Sequence, residues 1–480
     1  MATFAALEIG RRALLANSFG LDITSNNIAN SDTEGYSRRQ AISAEAAPYK
    51  KNTNYIGTGV DIQSIRSFRE EYLDREIRKT NSLESAYIND VEVFNAIEII
   101  LKEPSDNNLG EVINNLLNSF DELALQPESI GLREILLHNS QTLVERFNSV
   151  DAELKSMRQQ AYDNLNQDAT LINQLTDQIA GYNKALAITK DKNSNESLTY
   201  VDKRETAIES LAKLGNITVT YDPNGAANVF MNGINLVSQD TAHSVKIFEE
   251  VDSNTGESTL KLMHYDEKKD LFIDIAPTSG TVGSNLKHYN ITLDNLDSST
   301  GYSITKEIDA YIGTFAKKVN DILSTGYGLN DLNITAPAGR VLFSSETGVI
   351  TAATIKLSNS IQNPADIPLS ATAGTSGNSD IARELSRLSQ DSQFLNGQTP
   401  DEFYSNFIGK VSNMAKDSLS GKNAMNLVRI QLGTQRDSAM GVNTDEEAIN
   451  LIKYQKNFEA ASRVVNMTSE LLSTVINLGR

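Results

Sequence analysis

The chain has no cysteine and no tryptophan, and only four histidines among its 480 residues. Without cysteine, disulfides, thiol nucleophiles and thiolate metal sites are excluded, and the redox compartment is left open. Aromatic residues make up 6% of the chain, so a platform for stacking bases or sugars is not expected. Positive charge is in deficit: the net charge of −19 argues against a nucleic-acid partner, which needs a basic stripe. No apolar run approaches the length of a membrane-spanning helix, so no membrane insertion is expected. No cationic, apolar and small-residue leader opens the sequence either. Arg11 and Arg12 fall inside a helical pattern that also carries Glu8 and Asp22, and a chain secreted by the general route would show such a leader.

Catalytic patterns are missing as well. His138, His243, His264 and His288 lie far apart in sequence, none near a second ligand at metal-site spacing, and no HExxH occurs. There is no GxSxG, Walker loop or GxGxxG. "DPNGAANV" lacks the glycine register and closing Glu of a calcium loop and is read as a hairpin turn. Carboxylates are scattered over helical faces, where charge means solvated surface. No catalytic, cofactor or metal residue is assigned, and an enzyme would have to draw its groups from distant segments.

What the chain does have is heptads at both ends. Leu7, Leu14, Leu21 and Ile28 recur every seven residues, beside a small-residue stripe of Ala6, Gly10, Ala13, Asn17 and Gly20. Such spacing keeps one seam on a partner helix, and small residues permit close approach. Near the other end, Leu451, Phe458, Val465 and Leu472 repeat at seven, with Tyr454, Ala461, Thr468 and Val475 in the companion position. Val464, Leu471 and Leu478 widen that stripe, and Thr444 with Glu447 reads as a capping box. Two readings fit: a pair of terminal helices packed on each other along one seam, or two core helices of one globular domain. After the first helix comes "NNIANSDTEGYSRRQ" (26–40), a polar, turn-rich segment.

Between the ends the period changes twice. Val60, Ile62 and Ile65 alternate as a strand, and 67–125 is mostly helical with an interruption near Pro104. Residues 128–188 keep helical spacing without a breaker, which over about 60 residues at ~1.5 Å each spans roughly 90 Å. That length implies an elongated molecule. After a helix at 199–214 the period becomes two, with hairpin turns at Asp222–Gly225 and Asn232-Gly233. Further strands are expected at 244–249, 258–264, 270–275 and 289–294. A helix at 308–322, weak strands and loops over 329–380, and helices from Ile381 with a break at Gly433–Asn443 complete the reading. The fold class is α+β, multidomain and elongated, with paired terminal helices, a long helical bundle and an inserted β-rich domain. The expected division is 1–60 plus 440–480, a domain of the paired terminal helices; 61–215 plus 300–330 and 378–439, a helical rod; and 216–299 plus 331–377, the β-rich part.

The segment at 26–40 and the ending "DEEAINLIKYQKNFEAASRVVNMTSELLSTVINL" resemble the two signatures of bacterial flagellar rod, hook and hook-associated axial proteins. "YIGTGVDIQSIRSFREEYLDREIRKTNS", "YVDKRETAIESLAKLGNITVTYDPNGAANVFMNGINLVS" and "QLGTQRDSAMGVNTDEEAINL" are similar to the hook-associated branch. The likeness covers most of 1–330 and 375–480 and is weaker over 335–375. It implies a structural, non-enzymatic part of the flagellum that joins hook to filament and is exported unfolded through the flagellum's own channel. It also implies partners: other copies in a ring or helical array at the hook tip, the hook protein, the second hook-associated junction protein, and an export chaperone.

On this resemblance the terminal heptads pack in an inner axial layer, and 26–40 is the bend that meets neighbouring subunits. Asn26, Asn27 and Asn30 would suit the helix exit, because Asn tolerates a left-handed conformation and caps carbonyls, while Gly35 would permit the turn, Tyr36 would bury its ring and Arg38 would offer its donors to a neighbour. Val464, Leu471 and Leu478 become candidates for the chaperone's site. A different class of function, a secreted binding or adhesive role of the β-rich part, stays open beside these.

Overall fold

The computed structural model describes residues 2–51, 54–102, 108–189, 191, 194–251, 258–266, 271–294, 301–332 and 334–478. Pro104, the expected interruption, and the side chain of Leu478 lie outside the described residues. Helix α1 (Ala2–Ala29) leads into an antiparallel ladder of β1 (Arg39–Glu45) and β4 (Val60–Ser67), bulged between Ile42 and Ser43. A small pair, β2 (Tyr49–Lys51) and β3 (Asn54–Ile56), lies between them in sequence. Then come α2 (Glu71–Leu101), α3 (Leu109–Leu125), α4 (Ile130–Ile188) and α5 (Asn195–Leu214).

Helix α4 runs unbroken for 59 residues, as the spacing over 128–188 predicts. Two separate cores share it. Ala161, Leu165, Ile172 and Ile179 pack with Ile208 and Leu211 of α5 and with the inward faces of two sheets. The first sheet orders β5 (Ile217–Tyr221), β6 (Ala227–Met231), β7 (Ile234–Ser238) and β8 (Thr241–Ala242) in sequence. The second places β10 (Ser258–Asp266) between β9 (Val245–Val251) and β11 (Leu271–Asp274). Hairpin turns form where Asp222–Gly225 and Asn232-Gly233 predict them. Asp222 Oδ1 accepts the amides of Asn224 and Ala226 at 2.9 and 2.8 Å.

The strand expected at 289–294 is instead a π-helix, His288–Thr292, continuing α6 (Gly280–Lys287). The alternation of Tyr289, Ile291 and Leu293 misleads because Asn290 does a strand's work with its side chain. Its amide takes the Leu260 N–H at 2.7 Å and gives to the Leu260 carbonyl at 2.8 Å. This satisfies backbone groups of β10 without a further strand.

The other core joins Leu136, Leu143, Phe147 and Val150 of α4 to α3, α7 (Ile304–Leu323), α8 (Asp380–Ser386) and the start of α9 (Pro400–Met440). Composition groups residues 331–377 with the β-rich part, but Leu342, Phe343, Ile355, Ile367 and Leu369 pack in this helical core. Arg133, the largest fully buried side chain, explains the attachment. Its guanidinium donates to the carbonyls of Pro127 (2.8 Å) and Ile367 (2.7 Å), tying the loop to the first turn of α4. Burial lowers its pKa to about 10.

Helix α9 continues through Gly433, so the expected break narrows to Gly441–Asn443 before α10 (Thr444–Leu478). On its last turns Arg436 bonds Glu209 at 2.8 Å and Met440 is buried.

Candidate assembly site at the paired termini

Helices α1 and α10 lie antiparallel along each other, and glycine sets their distance. A β-carbon at Gly20 would stand 2.5 Å from the Tyr454 ring, and one at Gly10 would stand 2.6 Å from Val465 Cγ2. No side chain fits there, so the backbones approach closely and the two partners sit in notches. Ala461 and Thr468 are buried in the same seam. Leu7, Leu14, Leu21 and Ile28 are half-buried along α1, as are Leu451, Tyr454, Val465 and Leu472 along α10.

The companion positions of the α10 heptads therefore carry the centre of the pair, and Phe458 sits at its rim, 37% exposed. Leu471 at 55% and Val464 at 43% are exposed on one side of the helix together with Ile449 and Met467, and Val475, although at a companion position, is 61% exposed. One face of α10 is thus an apolar stripe that α1 leaves uncovered.

The segment 26–40 forms a hub around Asn27. This amide is fully buried and uses its whole bonding capacity. Its Nδ2 donates to the Arg39 carbonyl at 2.9 Å and to Glu447 Oε2 at 3.1 Å. Its Oδ1 accepts from the Tyr36 hydroxyl at 2.8 Å and from the Arg39 amide at 3.1 Å. Arg38 Nε donates to Glu447 Oε1 at 2.9 Å, and its fork reaches Glu446 at 3.3 Å. The donors that sequence reading assigned to a neighbouring subunit are occupied inside the chain.

The capping-box assignment is corrected with it. Asn443 Oδ1 accepts the amides of Asp445 and Glu446 at 3.0 and 3.2 Å, which caps α10 and frees the Glu447 carboxylate for the hub.

Helix α1 does not end through a left-handed asparagine: Asn26, Asn27 and Asn30 all keep negative φ. Asn30 instead closes the last turn on the Asn26 carbonyl, which accepts both its backbone amide at 3.1 Å and its Nδ2 at 2.9 Å. Gly35 is the residue at positive φ, +79°. A β-carbon there would meet Thr206 Oγ1 at 2.2 Å, so glycine lets the loop press onto α5. Tyr36 is half-buried, with its ring 4.9 Å from the Arg39 guanidinium. Burial raises its hydroxyl pKa to about 12.

Arg39 anchors the hub to the rest of the molecule. It bonds Asp202 of α5 at 2.8 Å, and Arg69 reaches Asp202, Asp74 and Glu205 at 3.4–3.8 Å. Burial pushes the carboxyl pKa of Asp202 up, against the pull of Arg39 and Arg69. A small apolar cluster of Ile23, Ile65 and Leu198 completes the attachment.

Arg39 and Asp202 carry no signal in the sequence, and Asn27 and Glu447 read there only as part of a helix exit and of a cap. The spacing of Glu447 three residues after Thr444 drew it to a cap, and nothing local ties Arg39 to α5. Among the described residues no group of three or more histidines and carboxylates could hold a metal ion, and no helix is long and apolar enough to cross a membrane. The arrangement is one of packing and charge pairing, suited to holding elements together.

Comparison with known proteins places this geometry. Residues 94–343 match the family described as "Flagellar hook-associated protein FlgK helical domain". Residues 435–478 match "Flagellar basal body rod FlgEFG protein C-terminal", and residues 7–36 match "Flagella basal body rod protein". Flagellar hook-associated protein 1 of Bacillus subtilis is 26% identical over 99% of this chain and 98% of its own length. Its counterpart in Salmonella typhimurium is 22% identical, covering 97% of this chain and 98% of that protein. The flagellar hook junction protein FlgK from Burkholderia pseudomallei shares the fold, with a TM-score of 0.60 at 14% identity over 77% of this chain and all of that structure.

Proposed function

The chain belongs to the family of the flagellar hook-associated protein FlgK, and from that premise we propose that it is a structural adaptor at the junction of hook and filament. The family is a structural one, and the adaptor works by packing rather than catalysis. The observation that carries this reading is the terminal pair: both ends of a nearly fully matched chain meet in one seam, with an apolar stripe of α10 left open. Such a stripe is costly in water and marks a surface covered by association.

In this reading other copies cover it when the protein joins a ring or helical array at the hook tip. The inner domain, 1–60 plus 440–480, lines the axis, with Leu7, Leu14, Leu21, Ile28, Leu451, Phe458, Val465, Leu472 and Val475 at the packing faces. The β-rich part faces outward. The hook protein lies on one side and the second hook-associated junction protein on the other. The protein leaves the cell through the flagellar export channel, accompanied until then by a chaperone on α10, and ends on an external or periplasmic flagellum. Electron microscopy of cells lacking the gene tests the role: hooks should remain and filaments should be lost. Filaments of normal number and length would overturn it.

An added binding role of the β-rich part is favoured by one observation. Phe248, Tyr265 and Phe272 crowd on one outward sheet face, 5.1–6.2 Å between successive ring centroids, and all are exposed. Replacing Phe248 and Phe272 by serine should then abolish cell attachment to surfaces while leaving swimming intact.

A further inference from the structure

The two large cores are apolar, yet the surface between the first half of α2 and its neighbours is not. From Glu71 to Asp90 the buried side chains of α2 are Asp74, Arg78, Thr80, Asn81, Ser82, Glu84 and Asp90, with Ile77 the one fully buried apolar residue. Helix α2 pairs here with the second half of α9, where Arg429 bonds Glu84 at 2.7 Å. This two-helix arm rests on α5 and α6.

Its contacts across that boundary are side-chain hydrogen bonds. The Ser82 and Ser279 hydroxyls meet at 2.6 Å. Asn89 Nδ2 donates to Ser284 Oγ and Asn285 Oδ1, both at 2.9 Å. Asp90 accepts from Ser284, from His288 Nε2 at 2.8 Å, and from Lys287 at 3.5 Å. Burial alone would push the Asp90 carboxyl up, but these donors outweigh it and hold its pKa below the ordinary range. At the other end Arg436 of α9 bonds Glu209 of α5. Between these points lies a cleft of about 410 Å³ whose walls carry Asn81, Glu84, Glu209 and Arg436 beside Ile77 and Ile88.

We infer that this boundary is a shear surface, along which the α2–α9 arm shifts against α5 and α6 while its far end stays anchored in the helical core. An apolar interface resists sliding because each displacement opens a void that loses contacts on one side. Hydroxyls, amides and charged forks exchange partners, and a cleft of this size and polarity admits water to bridge those left over. Shear between packed helices is a known mode of domain motion. The inference stands on packing alone and does not depend on the flagellar reading.

The test is a reversible lock. Because the native chain has no cysteine, Ser82→Cys with Ser279→Cys creates a single possible disulfide across the boundary. In the full-length protein, hydrogen exchange over 74–90 and 279–287 should slow at least tenfold on oxidation and recover on reduction. Exchange in α7 should not change. Asp90→Asn, without the cysteines, should speed exchange over 279–287 by a similar factor. Equal exchange in the oxidised and reduced states would overturn the inference, because the boundary would already be rigid. Failure of the thiols to pair under oxidant, or slowing in α7 to the same degree, would overturn it too.

Discussion

Arg38 and Glu447 stand 409 residues apart in the chain and meet at 2.9 Å, Nε to Oε1, with the glutamate side chain only 3% exposed. This pair closes the molecule on itself: it fixes the first turn of α10 to the loop between α1 and β1. Removing the arginine strands a buried carboxylate, a change that typically costs about 3–5 kcal/mol. Arg38→Ala should therefore release the first turns of α10, seen as faster hydrogen exchange over 445–460. Arg38→Met combined with Glu447→Leu should be milder than either single change. A double variant as unstable as the sum of the two would show that the pair is not coupled.

The glycine notch gives a second test. Gly20→Val drives a branched side chain into the Tyr454 ring, and overpacking of this kind typically costs about 1–3 kcal/mol. Filament formation should fall sharply. Tyr454→Ala in the same chain vacates the space and should restore part of it, an outcome that a general loss of helix propensity would not produce.

Phe458 separates folding from assembly. Because Phe458 lies at the rim of the seam, 37% exposed, the carboxylate of Phe458→Asp keeps access to water within one protomer, and its melting temperature should stay within a few degrees of wild type. Incorporation at the hook tip should nevertheless fail, since neighbouring copies would have to cover the carboxylate. Normal incorporation would place Phe458 outside the assembly surface.

Val464 and Leu471, exposed on the open face of α10, are the residues an export chaperone would cover. A chain ending at Gly441 should lose retention on the immobilised chaperone. Full retention would move the docking site elsewhere and leave this stripe to assembly alone.

Asp309 makes one pH dependence explicit. Burial raises its pKa to about 6, partly opposed by the Ala352 amide that donates to it at 2.8 Å. A carboxyl raised in the folded state contributes most below its unfolded value and loses that contribution as pH rises through about 6. Asp309→Asn keeps an acceptor for Ala352 without the charge. It should stabilise the protein at pH 8 by about 1–3 kcal/mol, judged from the size of the shift, and give no gain at pH 4. Thermal melts at the two pH values read this directly.

The elements legible in the sequence were those with strong local signals. The uninterrupted spacing from Leu132 to Leu186 predicts α4, and Asp222–Gly225 with Asn232-Gly233 predicts two hairpins, because helix period and turn chemistry act over a few residues. The pairing of the termini was legible from heptads and small residues, but its centre was not. Heptad counting gives Phe458 and Tyr454 similar claims, and only the Gly20 notch places the Tyr454 ring innermost. The hub was hidden for a related reason. Arg39, Asp202 and Glu447 come from three distant segments, so no spacing connects them. The packing of 331–377 was missed because its burial rests on a few apolar residues and on Arg133, a residue type normally read as surface.

The central claim is that this chain forms the hook–filament junction through its terminal pair, and an electron-microscopic reconstruction of the hook tip tests it most directly. The account predicts a layer of this protein between hook and filament, with α1 and α10 innermost around the channel and the β-rich part outermost. A junction layer without this protein, or one in which the β-rich part lines the channel, would contradict it.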